Sequence, residues 1–160
     1  MDNYINEYYQ KLNDGTVQAG RWVKLLFQYI QEGLRKKLFF YDHKKAQRAI
    51  VFIEAFCHHC EGRDDLLKLE LWQKAILSVM FGIVDSTGAR QFREVVLIVA
   101  RKNGKSLLAA AIIAYMTFFD GEYGAKCFCL APKLDQAEIV YNAFWQTIQK
   151  EPELAGMIKS

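Results

Sequence analysis

The sequence has little proline and little net charge. Two prolines and ten glycines among 160 residues exclude a collagen-like or linker-like chain. A net charge of only +3 gives no whole-chain indication of a nucleic-acid-binding protein. Apolar residues are abundant instead, at 52%, and aromatic residues make up 14%. Because that content can fill a sizeable core, a chain that is disordered throughout is excluded, and the length is typical of about one domain.

Long apolar runs are also missing. The longest, from Leu107 to Phe119, is shorter than the roughly 18 residues that a membrane-spanning helix requires. Met1 is not followed by basic residues and an apolar run, so we expect no secretory signal. Together with four cysteines in two close pairs, these absences indicate a cytoplasmic protein with reduced thiols.

Residues 1–83 are predicted to be helical. Between Val17 and Leu34, helical spacing defines the apolar face of one helix, formed by Trp22, Leu25, Leu26, Tyr29 and Leu34. Asp42 is expected to cap a second helix, whose apolar stripe consists of Ala46, Ala49, Ile50, Ile53 and Phe56. A third helix is predicted from about Leu69 to Met80, with Gly82 at its end.

A different hydrophobic pattern follows Gly88. Residues 94–100 form a short, β-branched apolar run, as expected of a strand that is buried on both faces. A polar loop then leads into an alanine-rich helix at 106–119 and a second buried strand at 125–131. The amphipathic helix after Pro132 is predicted to face inward through Ala137, Val140, Tyr141, Phe144 and Ile148.

The order of strand, loop, helix, strand and helix is typical of a parallel α/β sheet. We therefore predict an α/β chain in two parts. A helical N-terminal subdomain occupies residues 1–83, and the opening strands and helices of a parallel sheet occupy 84–160. The boundary is placed near 84–92, where the hydrophobic period changes.

The loop after the first strand carries a phosphate-binding pattern. Residues 99–106 read Val-Ala-Arg-Lys-Asn-Gly-Lys-Ser and end like a P-loop, in which backbone N–H groups and a helix N-terminus bind phosphate oxygens. Gly104 permits close approach, Lys105 can reach the β- and γ-phosphates, and the Ser106 hydroxyl can ligate Mg²⁺. The first glycine of the usual pattern is replaced by Val99, and an ordinary strand–helix turn remains the alternative.

The hexapeptide Arg101-Lys102-Asn103-Gly104-Lys105-Ser106 resembles the variant Walker A loop of large terminase subunits, the DNA-packaging motors of tailed bacteriophages. That family often replaces the first glycine and carries a basic residue at the position of Arg101. Other similar stretches occur in the family's order and extend the resemblance over most of residues 16–150: 20–23, 46–54, 71–74, 120–122 and 131–137.

This resemblance implies a P-loop ATPase that binds ATP and Mg²⁺ through residues 101–106. It implies catalytic roles for Lys105 and for Arg101, which would stabilise charge on the transferring phosphoryl group or sense the nucleotide, as arginine fingers do. A solvated loop cation is the alternative for Arg101. Trp72 and Gln73 occupy the place of the adenine-recognition motif, where an amide can bond the adenine edge and an indole can stack. Core packing is the alternative for Trp72.

In an intact subunit, the resemblance implies that ATP hydrolysis drives double-stranded DNA into a procapsid, at the portal in the host cytoplasm. The implied partners are the portal protein, the small terminase subunit and sister large subunits, without a membrane. These residues contain no strand that ends in a Walker B acid, since residues 125–131 lead into Pro132, and no nuclease domain. We therefore expect the N-terminal part of a terminase that is inactive alone. A non-catalytic nucleotide-binding or interaction module is the alternative.

The cysteines suggest a metal site only weakly. Cys57-His58-His59-Cys60 contains the C-x-x-C half of many structural zinc sites. No second pair follows at a suitable spacing, because Cys127 and Cys129 alternate on the predicted strand and point the same way. Packing as small apolar residues is therefore favoured over zinc binding.

Basic residues are concentrated between Gly15 and Ile50. Eight of them face only two acids, Glu32 and Asp42, which leaves a local excess of six positive charges. Such an excess can bind DNA phosphates, although a solvated helical surface is favoured. The basic residues are Arg21, Lys24, Arg35, Lys36, Lys37, Lys44, Lys45 and Arg48.

Overall fold

The computed structural model describes residues 3–60, 62–122 and 124–158, and it is mostly helical. The helices of these residues are α1 (Tyr4–Asn13), α2 (Arg21–Arg35), α3 (His43–Phe56), α4 (Leu71–Gly82), α5 (Lys105–Phe118), α6 (Leu134–Lys150) and α7 (Pro152–Met157). Strands β1 (Phe40–Tyr41) and β2 (Ile83–Val84) form a small antiparallel sheet, in which Phe40 lies opposite Val84 and Tyr41 opposite Ile83. No helix in the described part of the chain is both long and apolar enough to cross a membrane.

Two compact units make up the described chain. The first comprises residues up to Ile50 together with Leu69–Val96, and the second comprises Val51–Lys68 together with residues from Leu97 onward. The first unit therefore holds α1, α2, α4, the small sheet and the start of α3. The second holds the end of α3 and helices α5 to α7.

The core of the first unit lies between α1, α2 and α4. Tyr8 of α1 meets Phe27 of α2 edge-on, with ring centroids 4.9 Å apart, which is a favourable aromatic geometry. The buried residues of this core are Ile5, Tyr8, Leu12, Phe27, Ile30, Phe39, Ala75, Val79 and Ile83.

Gly33 of α2 lies directly against the ring of Phe39, and a Cβ atom at this position would overlap the ring. Phe39 is itself fully buried in the core, so the ring has little space in which to move. We expect Gly33→Ala to lower the free energy of unfolding by about 2 kcal/mol, because overpacking outweighs alanine's better helix propensity. Chemical denaturation of the full chain measures this change.

Gly156→Ala is the matched control for that substitution. Gly156 lies in α7 with nothing within 4 Å of an added Cβ, so we expect the control to be neutral or slightly stabilising. Equal effects of the two substitutions would show that the Phe39 ring does not constrain Gly33.

Local capping signals are confirmed. The Asp42 carboxylate accepts the N–H of Lys45 at 3.1 Å, and α3 begins at His43. Helix α4 ends at Gly82, where a Cβ would come within 2.8 Å of both Ala46 and Tyr41. Glycine at this point therefore lets the end of α4 pack closely against the start of α3.

Most of the apolar face predicted for α2 is not the face that packs, although Leu34 packs against the core and the Tyr29 ring lies 5.8 Å from Phe39. The structure buries Phe27, Ile30 and Gly33, whereas Trp22 is 79% exposed and Tyr29 is 52% exposed. The physical reason is that α2 has apolar side chains on two adjoining sides. Helical spacing identifies both sides, but the contact with α1 selects the side of Phe27, and spacing alone does not contain that information.

The parallel sheet predicted for residues 84–160 does not form among the described residues. Residues 94–100 and 125–131 have no strand pairing, and Val96 and Ile98 are 86% and 91% exposed rather than buried. A strand is stabilised by ladder hydrogen bonds to neighbours, and neither segment provides a ladder for the other. An apolar run predicts the tendency to form a strand but cannot supply its partner.

The second unit is built around α5 and α6. Alanines on α5 permit close approach of α6, and the buried residues of these two helices are Leu108, Ala110, Ala111, Ala114, Tyr115, Ala143, Thr147 and Ile148. Phe52 packs against Phe119 with ring centroids 4.8 Å apart. The predicted inward face of α6 is partly wrong, since Tyr141 is half-exposed.

Candidate functional site

The loop that precedes α5 has an unusual backbone. Gly104 occupies the position before the helix with φ +66° and ψ +17°, and Lys102 also has a positive φ of 66°. A Cβ at Gly104 would meet nothing within 4 Å, so the left-handed backbone and not crowding favours glycine there. Left-handed residues of this kind are components of the backbone nests that bind anions.

The N-terminus of α5 is open to an anion. No side chain caps it, and its first turn contains no acidic residue. The N–H of Leu108 makes a helical bond to the carbonyl oxygen of Gly104 at 2.9 Å, and the N–H groups that precede it in a helix have no intrahelical acceptor. These donors and the positive end of the helix dipole favour a negatively charged ligand.

Side chains around this terminus add positive charge. Arg101, Lys102 and Lys105 lie within five residues and are all exposed, whereas Ser106 is half-buried in the first turn of α5. The Asn103 amide donates to the carbonyl oxygens of Ala100 and Arg101, both at 3.3 Å. Asn103 therefore braces the loop, and the cations remain available to a ligand.

One side chain of the loop could contribute to a Mg²⁺ site. Within residues 3–60, 62–122 and 124–158, no group of three or more His, Cys, Asp or Glu side chains could hold a metal ion. The hydroxyl of Ser106 is a suitable single ligand, because Mg²⁺ takes oxygen ligands and is held in nucleotide sites largely by phosphates and water.

Trp72 and Gln73 have structural contacts at the start of α4. Gln73 is buried, and its Oε1 accepts the N–H of Glu70 at 2.8 Å. Trp72 is partly buried and packs against the core of the first unit. The spacing Glu70-x-x-Gln73 resembles a capping box, a signal in the sequence that could have indicated this role.

The Cys57–Cys60 segment anchors the end of α3 in the second unit. Burial raises the pKa of Cys57 to about 12, and the Cys60 thiol lies 3.4 Å from the carbonyl oxygen of Ala143. Lys150 donates to the carbonyl oxygen of His59 at 2.8 Å and pairs with Asp64 at 2.7 Å. None of the four cysteines forms a disulfide.

The basic residues predicted between Gly15 and Ile50 are exposed. They lie on more than one helix, and several have local partners. Lys36 approaches Glu32 at 3.8 Å, and Lys45 donates to the carbonyl oxygen of Gly88. This arrangement agrees with a solvated helical surface.

Comparisons with known proteins identify a family for the second half of the chain. The family described as terminase large subunit, ATPase domain, matches residues 71–160. The crystal structure of the HK97 bacteriophage large terminase is similar at 27% sequence identity and a TM-score of 0.61, over 72% of this chain. The chain spans 23% of the length of that terminase. No curated protein matches the chain.

Proposed function

The chain belongs to the family of terminase large subunit ATPase domains, and from that premise we propose that residues 101–106 bind the triphosphate of ATP with Mg²⁺. The observation that carries this proposal is the N-terminus of α5, which has no side-chain cap and no acid in its first turn. Three exposed cationic residues lie close to it in the sequence, Arg101, Lys102 and Lys105. Backbone donors, helix dipole and positive charge all favour the same ligand, a polyphosphate.

Each residue of the loop has a distinct proposed role. Gly104 keeps the backbone open to phosphate oxygens, and Lys105 binds the β- and γ-phosphates. Asn103 holds the loop in shape through its bonds to two carbonyl groups. Lys102 adds charge, and Arg101 stabilises the transferring phosphoryl group in an active assembly.

Bound Mg²⁺ would neutralise phosphate charge and orient the leaving group. In this chain, the Ser106 hydroxyl is the group that would hold it, from the first turn of α5. The other ligands would be phosphate oxygens and water.

For the intact subunit, we propose ATP-driven packaging of double-stranded DNA into a procapsid in the host cytoplasm. The proposed partners are the portal protein, the small terminase subunit and sister large subunits. This proposal is supported by the similarity to a solved large terminase, that of bacteriophage HK97. It concerns the whole subunit, and this chain corresponds to 23% of that terminase.

Phosphate-chain length tests the proposed site. We expect affinity measured by calorimetry to fall in the order ATP, ADP, AMP, because the loop contacts the terminal phosphates. Adenosine, which has no phosphate, should be the weakest competitor of ATP. Equal binding of ATP and AMP would contradict a phosphate-binding loop.

Base recognition gives a separate prediction. If the Gln73 amide bonds the adenine edge, ATP binds better than GTP, and Gln73→Ala reduces that preference by about fivefold, the effect of one lost hydrogen bond. Competition between the two nucleotides measures the ratio for each variant.

Gln73→Glu separates recognition from folding. Its carboxylate keeps an acceptor for the N–H of Glu70, which Oε1 of Gln73 now binds at 2.8 Å, but it loses the amide donor. We expect this variant to lose the preference for ATP, and thermal unfolding measures the cost of a carboxylate at this buried position. A preference that both variants retain would assign Gln73 to capping alone.

A further inference from the structure

Helix α2 presents an apolar stripe to solvent. Its four side chains follow the i, i+3, i+4, i+7 spacing of one helix face: Trp22, Leu25, Leu26 and Tyr29, which are 79%, 42%, 40% and 52% exposed. The Arg21 guanidinium lies 5.9 Å from the centre of the Trp22 ring. A contiguous exposed apolar patch of this kind usually marks an interaction surface.

The stripe is complementary to itself. Read in either direction, it consists of an aromatic residue, a gap of two, two leucines, a gap of two and an aromatic residue. If a second copy of α2 lies antiparallel about the midpoint between Leu25 and Leu26, Trp22 faces Tyr29 of the other copy, and each leucine faces the same leucine of the other copy. A two-fold interface requires such self-complementarity, in which each residue and its partner exchange places.

Charges at the edge of the stripe are also complementary. Arg21 and Glu32 are eleven positions apart, close to three turns at about 3.6 residues per turn, so they lie on the same edge of α2. In the antiparallel pair, Arg21 of one copy therefore lies near Glu32 of the other. Within its own helix, the Glu32 carboxylate accepts a hydrogen bond from the Gln28 amide at 3.3 Å and has a loose contact with Lys36 at 3.8 Å, and both contacts are exposed.

The area of the stripe suits a weak dimer. Covered aromatic side chains bury about 150–250 Å² each, so the four exposed side chains offer roughly 400 Å² per copy. Two stripes with their charged edges reach roughly 1,000 Å², which is the lower end of specific interfaces. The association should therefore depend on concentration.

We propose that α2 pairs antiparallel with α2 of a second copy of this chain. The contact closes at two copies, because a two-fold interface uses the same patch on both partners. All residues of this proposed interface lie in the first unit, so the proposal does not depend on nucleotide binding at residues 101–106.

Sedimentation velocity of the full chain over a range of concentrations tests the proposal. We expect reversible dimerisation that Leu26→Glu weakens by at least about tenfold, since it buries an unpaired charge. Leu38→Glu is the control, because Leu38 is exposed but lies outside α2, and it should leave the dimer unchanged. A monomer at every concentration would overturn the proposal.

A charge exchange tests the antiparallel register. Arg21→Glu and Glu32→Arg should each weaken the dimer, and the double variant should restore it, because each copy then presents the reversed pair. All three changes are on the surface, and thermal unfolding verifies that the helix is intact. Failure of the double variant to restore association contradicts this pairing.

A second surface is tested with Ile98→Asp. If this variant weakens the association and Leu26→Glu does not, the copies associate through the exposed 94–98 segment, and the proposal is overturned.

Discussion

Replacing Lys105 with alanine should abolish the binding of Mg·ATP that calorimetry detects with this chain. Lys105 begins α5 at the uncapped N-terminus, and in the proposed P-loop its ammonium group binds the terminal phosphates. Hydrogen bonds to charged groups contribute about 1.5–3 kcal/mol. The loss therefore corresponds to roughly a tenfold to hundredfold lower affinity, which takes weak binding below detection.

Lys133→Ala is the matched control for Lys105→Ala. Lys133 immediately precedes α6, so it too lies at a helix N-terminus, and its removal changes the net charge equally. The first turn of α6, however, contains Asp135. An acid at that position disfavours a phosphate. We expect wild-type affinity for this variant. Equal affinities of the Lys105 and Lys133 variants would remove the assignment of the phosphate-binding loop.

The purified chain should release no phosphate from ATP above background, even where it binds the nucleotide. In-line attack requires a positioned water and an acidic metal ligand besides the P-loop. Lys105 can bind a phosphate group, and Ser106 can provide one ligand for the metal. The described residues contain no cluster of acidic, histidine or cysteine side chains that could complete a metal site.

Steady-state phosphate release at saturating Mg·ATP measures the ATP turnover of the purified chain, and the Lys105→Ala variant gives the background rate. Turnover that is clearly above that background and depends on Lys105 would contradict the prediction. It would identify a catalytic acid within these 160 residues that the present assignment omits.

Features that depend on local chemistry could be predicted from the sequence. Asp42 accepts a backbone bond at the start of α3, because capping involves residues only a few positions apart. Helix α4 ends at Gly82 as predicted, although the role of this glycine is close packing against α3. The helix after the P-loop was predicted at 106–119 and lies at Lys105–Phe118. The residue types of the loop predict phosphate binding, and the structure shows the left-handed backbone at Gly104 that this prediction requires.

Features that depend on distant partners could not be predicted. The apolar runs at 94–100 and 125–131 contain residues typical of strands, but no ladder forms between them in the described structure. The inward face of α2 was wrong for a related reason, because α1 selects the side of Phe27. At Gln73, a capping contact and a ligand contact require the same residue type, and the sequence cannot separate them.

Two cysteines of the second unit differ in burial, so their reactivity can measure local unfolding of that unit. Cys127 is exposed and Cys57 is buried, with a pKa of about 12 that leaves its thiol protonated at neutral pH. Since only the thiolate is an effective nucleophile, an alkylating reagent should modify Cys127 at once and Cys57 only when the protein around it opens. The rate of the slow reaction then measures the free energy of that opening, without any added probe.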